Sequence, residues 1–100
     1  MDLQAIAASE QSLIGAIVRD NAVLDALRVQ PEHMTTMHAR VTLEAAQKLR
    51  LDGTAFDEVV LFDAMGQTPV DLGYLTAAGL QGMPAYVAEY EAAILAFQRK

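Results

Sequence analysis

Apolar residues recur along the first part of the chain at spacings of three, four and seven positions. Those residues are Leu3, Ile6, Leu13, Ile14, Ile17 and Val18. This spacing places side chains on one face of an α-helix, so it predicts an amphipathic helix over residues 5–19. Gly15 lies inside the pattern, where glycine costs about 1 kcal/mol relative to alanine, and this indicates close contact with a neighbouring backbone.

Five more helical segments follow, separated by turn residues. They are expected over residues 22–28, 35–51, 57–65, 71–78 and from 84 to near the C-terminus. Asp20 or Asn21 is the expected cap of the second segment, Asp57 caps the fourth, and Pro84 suits the first turn of the last. Because β-branched residues do not alternate with polar ones, the predicted fold class is all-α. Residues 1–100 are expected to form one domain, a compact bundle of about six helices.

The same spacing predicts which helix faces are buried. In the third segment the expected buried stripe is Met37, Val41, Ala45 and Leu49. In the last segment it is Tyr86, Val87, Tyr90, Ala93, Ile94 and Phe97. A terminal stripe of this kind packs either on its own domain or on a partner, and little sequence follows Phe97 to cover it. Tyr90, Ile94 and Phe97 are therefore a candidate self-association surface.

Charge narrows the choice of partner. The chain has 13 acidic and 7 basic residues, for a net charge of −6. From residue 51 onward the only basic residues are Arg99 and Lys100, so the excess of acid falls in the second half. Direct nucleic-acid binding is disfavoured because phosphate contacts require a clustered positive field. The acidic surface is either simply solvated or recruits a basic protein.

Residue patterns that carry chemistry are missing. The chain has no Cys and no glycine-rich phosphate-binding motif, and Ser9 and Ser12 lie in no nucleophile elbow. A metal site from His33, His38 and Glu44 is disfavoured, because the two histidines are five positions apart and face different sides of a helix. We therefore predict no catalytic residue, cofactor or metal. With no apolar run of about 18 residues and no secretory signal, a cytoplasmic protein without a membrane span is expected.

A series of short motifs runs through nearly the whole chain. Residues 9–17, SEQSLIGAI, are similar to E-A-E-Q-x-V-L-G-x-[LI]. In the first half, further similarities are Asp20 to [LM]-x-[DN], residues 32–34 to D-F-Y, and His38 with Val41 to H-x-x-[IV]-F. In the second half they are Gly53 with Asp57 to G-x-x-[IV]-D, Tyr74 with Leu75 to G-G-x-x-Y-L, and Tyr90 to N-[IV]-x-x-Y. In this order they resemble the N-terminal domain of bacterial DnaB-type replicative helicases. The chain departs from that pattern at His33, which stands for a phenylalanine, at the single Gly73, and at Tyr86, which stands for an asparagine.

The resemblance implies a non-catalytic helical head that assembles into the collar of a hexameric helicase and recruits primase. Its implied partners are the helicase-binding domain of primase and other helicase subunits, with a helicase loader as a further candidate. The last helix would be the first helix of the family's hairpin, and the ATPase domain is absent from this chain. Glu10, Gln11 and Tyr74 fall in the family's motifs and are candidate contact residues. The alternatives are that Glu10 is a solvated helix residue and that Tyr74 is a core residue.

Two other functions stay open at this stage. One is a stand-alone phage or mobile-element protein that imitates the domain and regulates a host helicase. The other is a small α-helical enzyme, which would need a deep polar pocket joining His38 to a carboxylate. His38 is otherwise expected to be structural, with its ring packed and one nitrogen bonded to the backbone.

Overall fold

The first helix, α1 (Leu3–Arg19), is central and touches most of the rest of the fold. The computed structural model describes residues 2–99. The other α-helices are α2 (Met37–Leu51), α3 (Glu58–Ala64), α4 (Pro69–Gln81) and α5 (Val87–Gln98), and three short 3-10 helices lie at Asn21–Ala26, Pro31–His33 and Pro84–Tyr86. Residues 2–99 contain no strand. The all-α prediction is thus confirmed.

Local capping explains most helix starts. Asp57 accepts a hydrogen bond from the backbone N–H of Val60 at 3.0 Å, as its position predicts. The segment predicted over residues 71–78 instead begins at Pro69, because Thr68 and Asp71 form a reciprocal capping box. The second predicted segment is helical but ends earlier than residue 28: Asp20 caps a 3-10 helix over Asn21–Ala26, and the backbone is extended at Leu27.

The tight packing of α1 on α4 depends on glycine. A Cβ atom on Gly15 would lie 1.9 Å from the carbonyl oxygen of Ala78, and one on Gly82 would lie 2.2 Å from the carbonyl oxygen of Ser12. Both obstacles are backbone atoms and cannot rotate away. The close backbone contact predicted for Gly15 is confirmed.

One core surrounds the inner face of α1. Its buried apolar members are Ile6, Leu13, Ile14, Ile17, Val29, Met34, Ala39, Leu43, Ala46, Phe56, Leu61, Leu75, Ala78 and Ile94. Every helix from α1 to α5 contributes at least one of them, so no helix is a peripheral addition.

The predicted buried stripe of α2 is wrong at Met37 and Val41, whereas Ala45 and Leu49 are half-buried and pack against the core. Met37 and Val41 are 67% and 45% exposed, and the buried residues of this helix are Ala39, Thr42, Leu43 and Ala46. The true inner face is displaced by roughly a third of a turn from the predicted one. Thr42 is tolerated there because its hydroxyl donates to the carbonyl oxygen of His38 at 2.7 Å.

Candidate functional site

Glu10 is a fully buried carboxylate at the junction of α1 and α2. Its Oε2 accepts hydrogen bonds from the backbone N–H and hydroxyl of Thr35 at 2.7 and 2.9 Å. Its Oε1 accepts the equivalent pair from Thr36 at 3.2 and 2.8 Å. Thr36 is the N-cap of α2, so the negative charge also lies at the positive end of that helix. These four bonds compensate the cost of burying the charge.

Gln11 and Tyr74 join α4 to the same junction. The Gln11 side-chain amide donates to the carbonyl oxygen of Tyr74 at 3.0 Å. The Tyr74 ring stacks on the His38 ring, with centroids 4.3 Å apart and planes inclined by 12°. Residues from α1, α2 and α4 therefore meet within one polar group.

His38 and Asp71 form an ion pair within this group when the histidine is protonated. Nε2 of His38 lies 3.0 Å from Oδ1 of Asp71. The pKa of Asp71 is held below its ordinary value, first because its carboxylate accepts the backbone N–H of Thr68 and further because of the Thr68 hydroxyl and His38. The His38 ring is packed as expected, and its Nε2 faces a carboxylate, whereas a backbone partner was expected for one ring nitrogen.

The hydroxyl of Tyr74 is buried and has no hydrogen-bond partner in the described part of the chain. Burial raises its pKa, and the nearby Glu10 carboxylate raises it further. The phenol therefore stays protonated at any physiological pH and is a poor acid or nucleophile. We call Glu10, Gln11, Thr35, Thr36, His38, Asp71 and Tyr74 the junction cluster.

The junction cluster offers little to a substrate. A His–Asp pair can act as a general base, but only where a reacting group can approach it. The side chains of His38 and Asp71 are 25% and 13% exposed, and the Thr35 and Thr36 hydroxyls already donate to Glu10. An open groove of about 370 Å³ lies elsewhere and is lined by Leu24, Asp25, Gln30, Gln47, Arg50 and Leu51. The geometry favours a structural role for the cluster.

A second buried carboxylate, Glu91, holds α5 in place. Its Oε2 accepts the backbone N–H groups of Arg28 and Val29 at 2.5 and 2.9 Å. Arg28 Nε lies 4.0 Å from Oε1, although the guanidinium is mostly exposed. Glu91 thus fixes the extended segment after the first 3-10 helix against the last α-helix.

The predicted interface residues fall into two groups. Glu10 and Ile94 are fully buried within the chain itself, so the folded protein cannot present them to a partner. Gln11, Tyr74, Tyr90 and Phe97 are half-buried. Tyr90 and Phe97 pack against the core, and the Tyr90 hydroxyl accepts the backbone N–H of Met83 at 3.2 Å. The terminal stripe therefore packs mostly against its own domain.

The three residues considered for a metal site lie in separate environments. His33 Nδ1 accepts the backbone N–H of Gln30 at 2.9 Å, His38 faces Asp71, and Glu44 is exposed. Across residues 2–99, no group of three or more His, Asp or Glu side chains is arranged to hold a metal ion. Within the same range no helix has the length and apolar character to span a membrane.

Sequence reasoning missed several members of these sites. Thr35 and Thr36 were expected only as a helix start, and Asp71 and Glu91 were given no partner. The one local signal was the Thr68–Asp71 spacing of a capping box. The partners of Glu10 and Glu91 lie at least 25 positions away in sequence, where no short motif connects them.

Known proteins supply no match to this chain: no family model fits it, and neither a curated protein nor a solved structure is similar to it.

Proposed function

We propose that the chain is a non-catalytic protein-interaction domain of the replicative-helicase type, acting in collar assembly and primase recruitment. The observation that carries the proposal is the meeting of residues from separate motifs of the resemblance. Glu10, His38 and Tyr74 belong to three motifs spread over 65 positions, and all three lie in the junction cluster. If the chain has the same fold as the helicase domain, its separate motifs are expected to pack together in this way.

The junction cluster supports such a domain from the inside. Its carboxylates and hydroxyls are mostly paired with one another, so it stabilises the relative positions of α1, α2 and α4. A partner would then bind the exposed surface around the junction cluster. Met37 and Val41 lie one turn apart on α2, beside the cluster, and both are exposed. Exposed apolar residues of this kind are typical of protein interfaces.

Calorimetry tests the proposal directly. The folded chain is titrated with the helicase-binding domain of a bacterial primase and, separately, with a DnaB-type helicase. Binding to at least one is expected, with no ATP hydrolysis and no salt-sensitive DNA binding. Absence of heat with both proteins at about 100 μM, near the weak end of specific association, would count against the proposal.

A matched pair of variants locates the contact. Met37→Glu with Val41→Glu places charge on the α2 surface, and Val59→Glu does the same at an exposed valine of α3. We expect the α2 variant to weaken primase or helicase binding at least about tenfold and the α3 variant to bind as the parent. Equal effects of the two variants would show that the α2 surface is not the contact.

A further inference from the structure

The outward face of α4 is apolar although nothing in the described structure covers it. This face consists of Leu72, Gly73, Thr76 and Leu80. Leu80 is 81% exposed and Leu72 is 55% exposed. The opposite side of α4 buries Leu75 and Ala78 in the core. A surface helix normally places polar residues opposite its buried stripe, so an apolar outer face on α4 is unusual.

The one hydroxyl on this face is already satisfied. Thr76 donates its Oγ1 hydrogen bond to the carbonyl oxygen of Leu72 at 2.8 Å, within the same helix. The space beside the Cα atom of Gly73 is open, because a Cβ atom built there would meet no other atom within 4 Å. The face therefore has an open position at Gly73 and a projecting leucine two turns later.

Charge indicates what could cover the face. Residues 72–88 contain no Asp, Glu, Lys or Arg, whereas the whole chain carries a net charge of −6. Two copies of an acidic chain repel each other where acidic surfaces meet, so an uncharged surface is where they can approach. On one flank of α4, Arg19 donates to the carbonyl of Gly79, and the Glu58 side chain lies against Gly79. Their signs are opposite, so that flank adds no net repulsion.

The spacing on α4 is also self-complementary. In a twofold antiparallel pairing of two α4 helices, an axis between Thr76 and Ala77 places Leu80 of each copy opposite Gly73 of the other. The exposed leucine then fills the open position. A basic partner, by contrast, would be drawn to the acidic residues and has no ionic contact to gain here. We propose that the outward face of α4 pairs with the same face of a second copy of this chain.

The proposed function already includes association between subunits. This inference adds the surface on which two copies pair, and that surface replaces the terminal stripe as the self-association surface. Its test uses the chain alone. A failure of primase or helicase binding would therefore not affect it, and its own failure would leave primase recruitment standing.

Sedimentation velocity over about 10 μM to about 1 mM tests the pairing. A single helix face is smaller than a standard protein interface, so half-association near about 100 μM is expected. Leu80→Glu and Gly73→Gln should each raise the dissociation constant at least about tenfold. Gly73→Gln removes no contact within the chain and fills open space, so circular dichroism should show it folded.

Two further variants distinguish specific pairing from non-specific apolar association. Leu51→Glu adds the same charge at an 88% exposed leucine at the end of α2 and should dimerise nearly as the parent does. Gly73→Glu combined with Leu80→Lys should regain dimer relative to Leu80→Glu, because each lysine then faces a glutamate of the other copy. A chain that stays monomeric throughout, or one whose dimer is insensitive to Leu80→Glu or equally sensitive to Leu51→Glu, would overturn the proposal.

Discussion

Replacing Gly15 by alanine tests the packing of α1 on α4. The added Cβ would lie 1.9 Å from the carbonyl oxygen of Ala78 and 3.0 Å from the Cα of Gly82. Carbon and oxygen atoms that are not bonded rarely approach within about 3 Å, so the two helices would have to separate by roughly 1 Å. Because the atoms that must move are backbone, the whole of α4 has to shift.

Two opposing effects set the size of the change. Overpacking a tight interior typically costs about 1–3 kcal/mol, and a clash with backbone falls at the upper end. Alanine recovers about 1 kcal/mol of helix propensity at the same position. We therefore expect Gly15→Ala to lower the free energy of unfolding by about 2 kcal/mol, a large part of the stability of a small domain.

Gly73→Ala is the matched control, because it makes the same chemical change on α4 where a Cβ meets nothing within 4 Å. It should raise the free energy of unfolding by about 0.5–1 kcal/mol. Urea denaturation followed by far-UV circular dichroism at a few micromolar protein measures both variants. The packing argument would be refuted if Gly15→Ala were within about 0.5 kcal/mol of the parent, the usual range for a surface change, or more stable than Gly73→Ala.

Three further outcomes follow from the junction cluster. Glu10→Gln should destabilise the fold by about 2–3 kcal/mol in urea, because an amide NH₂ group would face donors that now bind a carboxylate; a neutral effect would contradict the role assigned to Glu10. Tyr74→Phe should stabilise by about 1 kcal/mol, since it removes a buried hydroxyl without a partner, and a clear loss of stability would mean that the hydroxyl is bonded. For Asp71 the pKa in the folded state is below its ordinary value, so its contribution is complete above the unfolded pKa of 3.8 and is lost as pH falls through the lower folded value. Thermal unfolding of Asp71→Asn should accordingly show a flatter acid limb below about pH 4 than the parent, and superimposable profiles would contradict the shift.

The helices themselves could be predicted from local sequence. Asp57 and the helix it caps, the end of α1 at Arg19 and the long α2 all follow from spacing and end residues within about ten positions. The close contact at Gly15 could also be predicted, because glycine inside an amphipathic helix costs about 1 kcal/mol relative to alanine and a nearby backbone is a physical reason to keep it. The segment after Asn21 was harder: six residues can form either helix type, and the extended backbone at Leu27 ends it before an α-helix is complete.

The orientation of the helices could not be predicted in the same way. On α2, Met37 and Val41 have larger apolar side chains than Ala39 and Ala46, so they dominate any hydrophobic pattern. In the folded chain Ala39 and Ala46 are buried and Met37 and Val41 are exposed, because the elements that pack around α2 decide which of its faces is covered. The same limitation affected Ile94, which the pattern placed correctly on a stripe but could not assign to its own core.

Sequence by itself determined that this chain is helical, where most helices begin and end, and that its second half is acidic, because these properties depend on residues near one another in the chain. Only the tertiary structure decided which faces are buried and which carboxylates are structural. Glu10 and Glu91 were ordinary acidic residues until the fold placed the backbone N–H groups of Thr35 and Val29 beside them. A buried charge is stable only where several donors converge on it, and that convergence arises between distant segments.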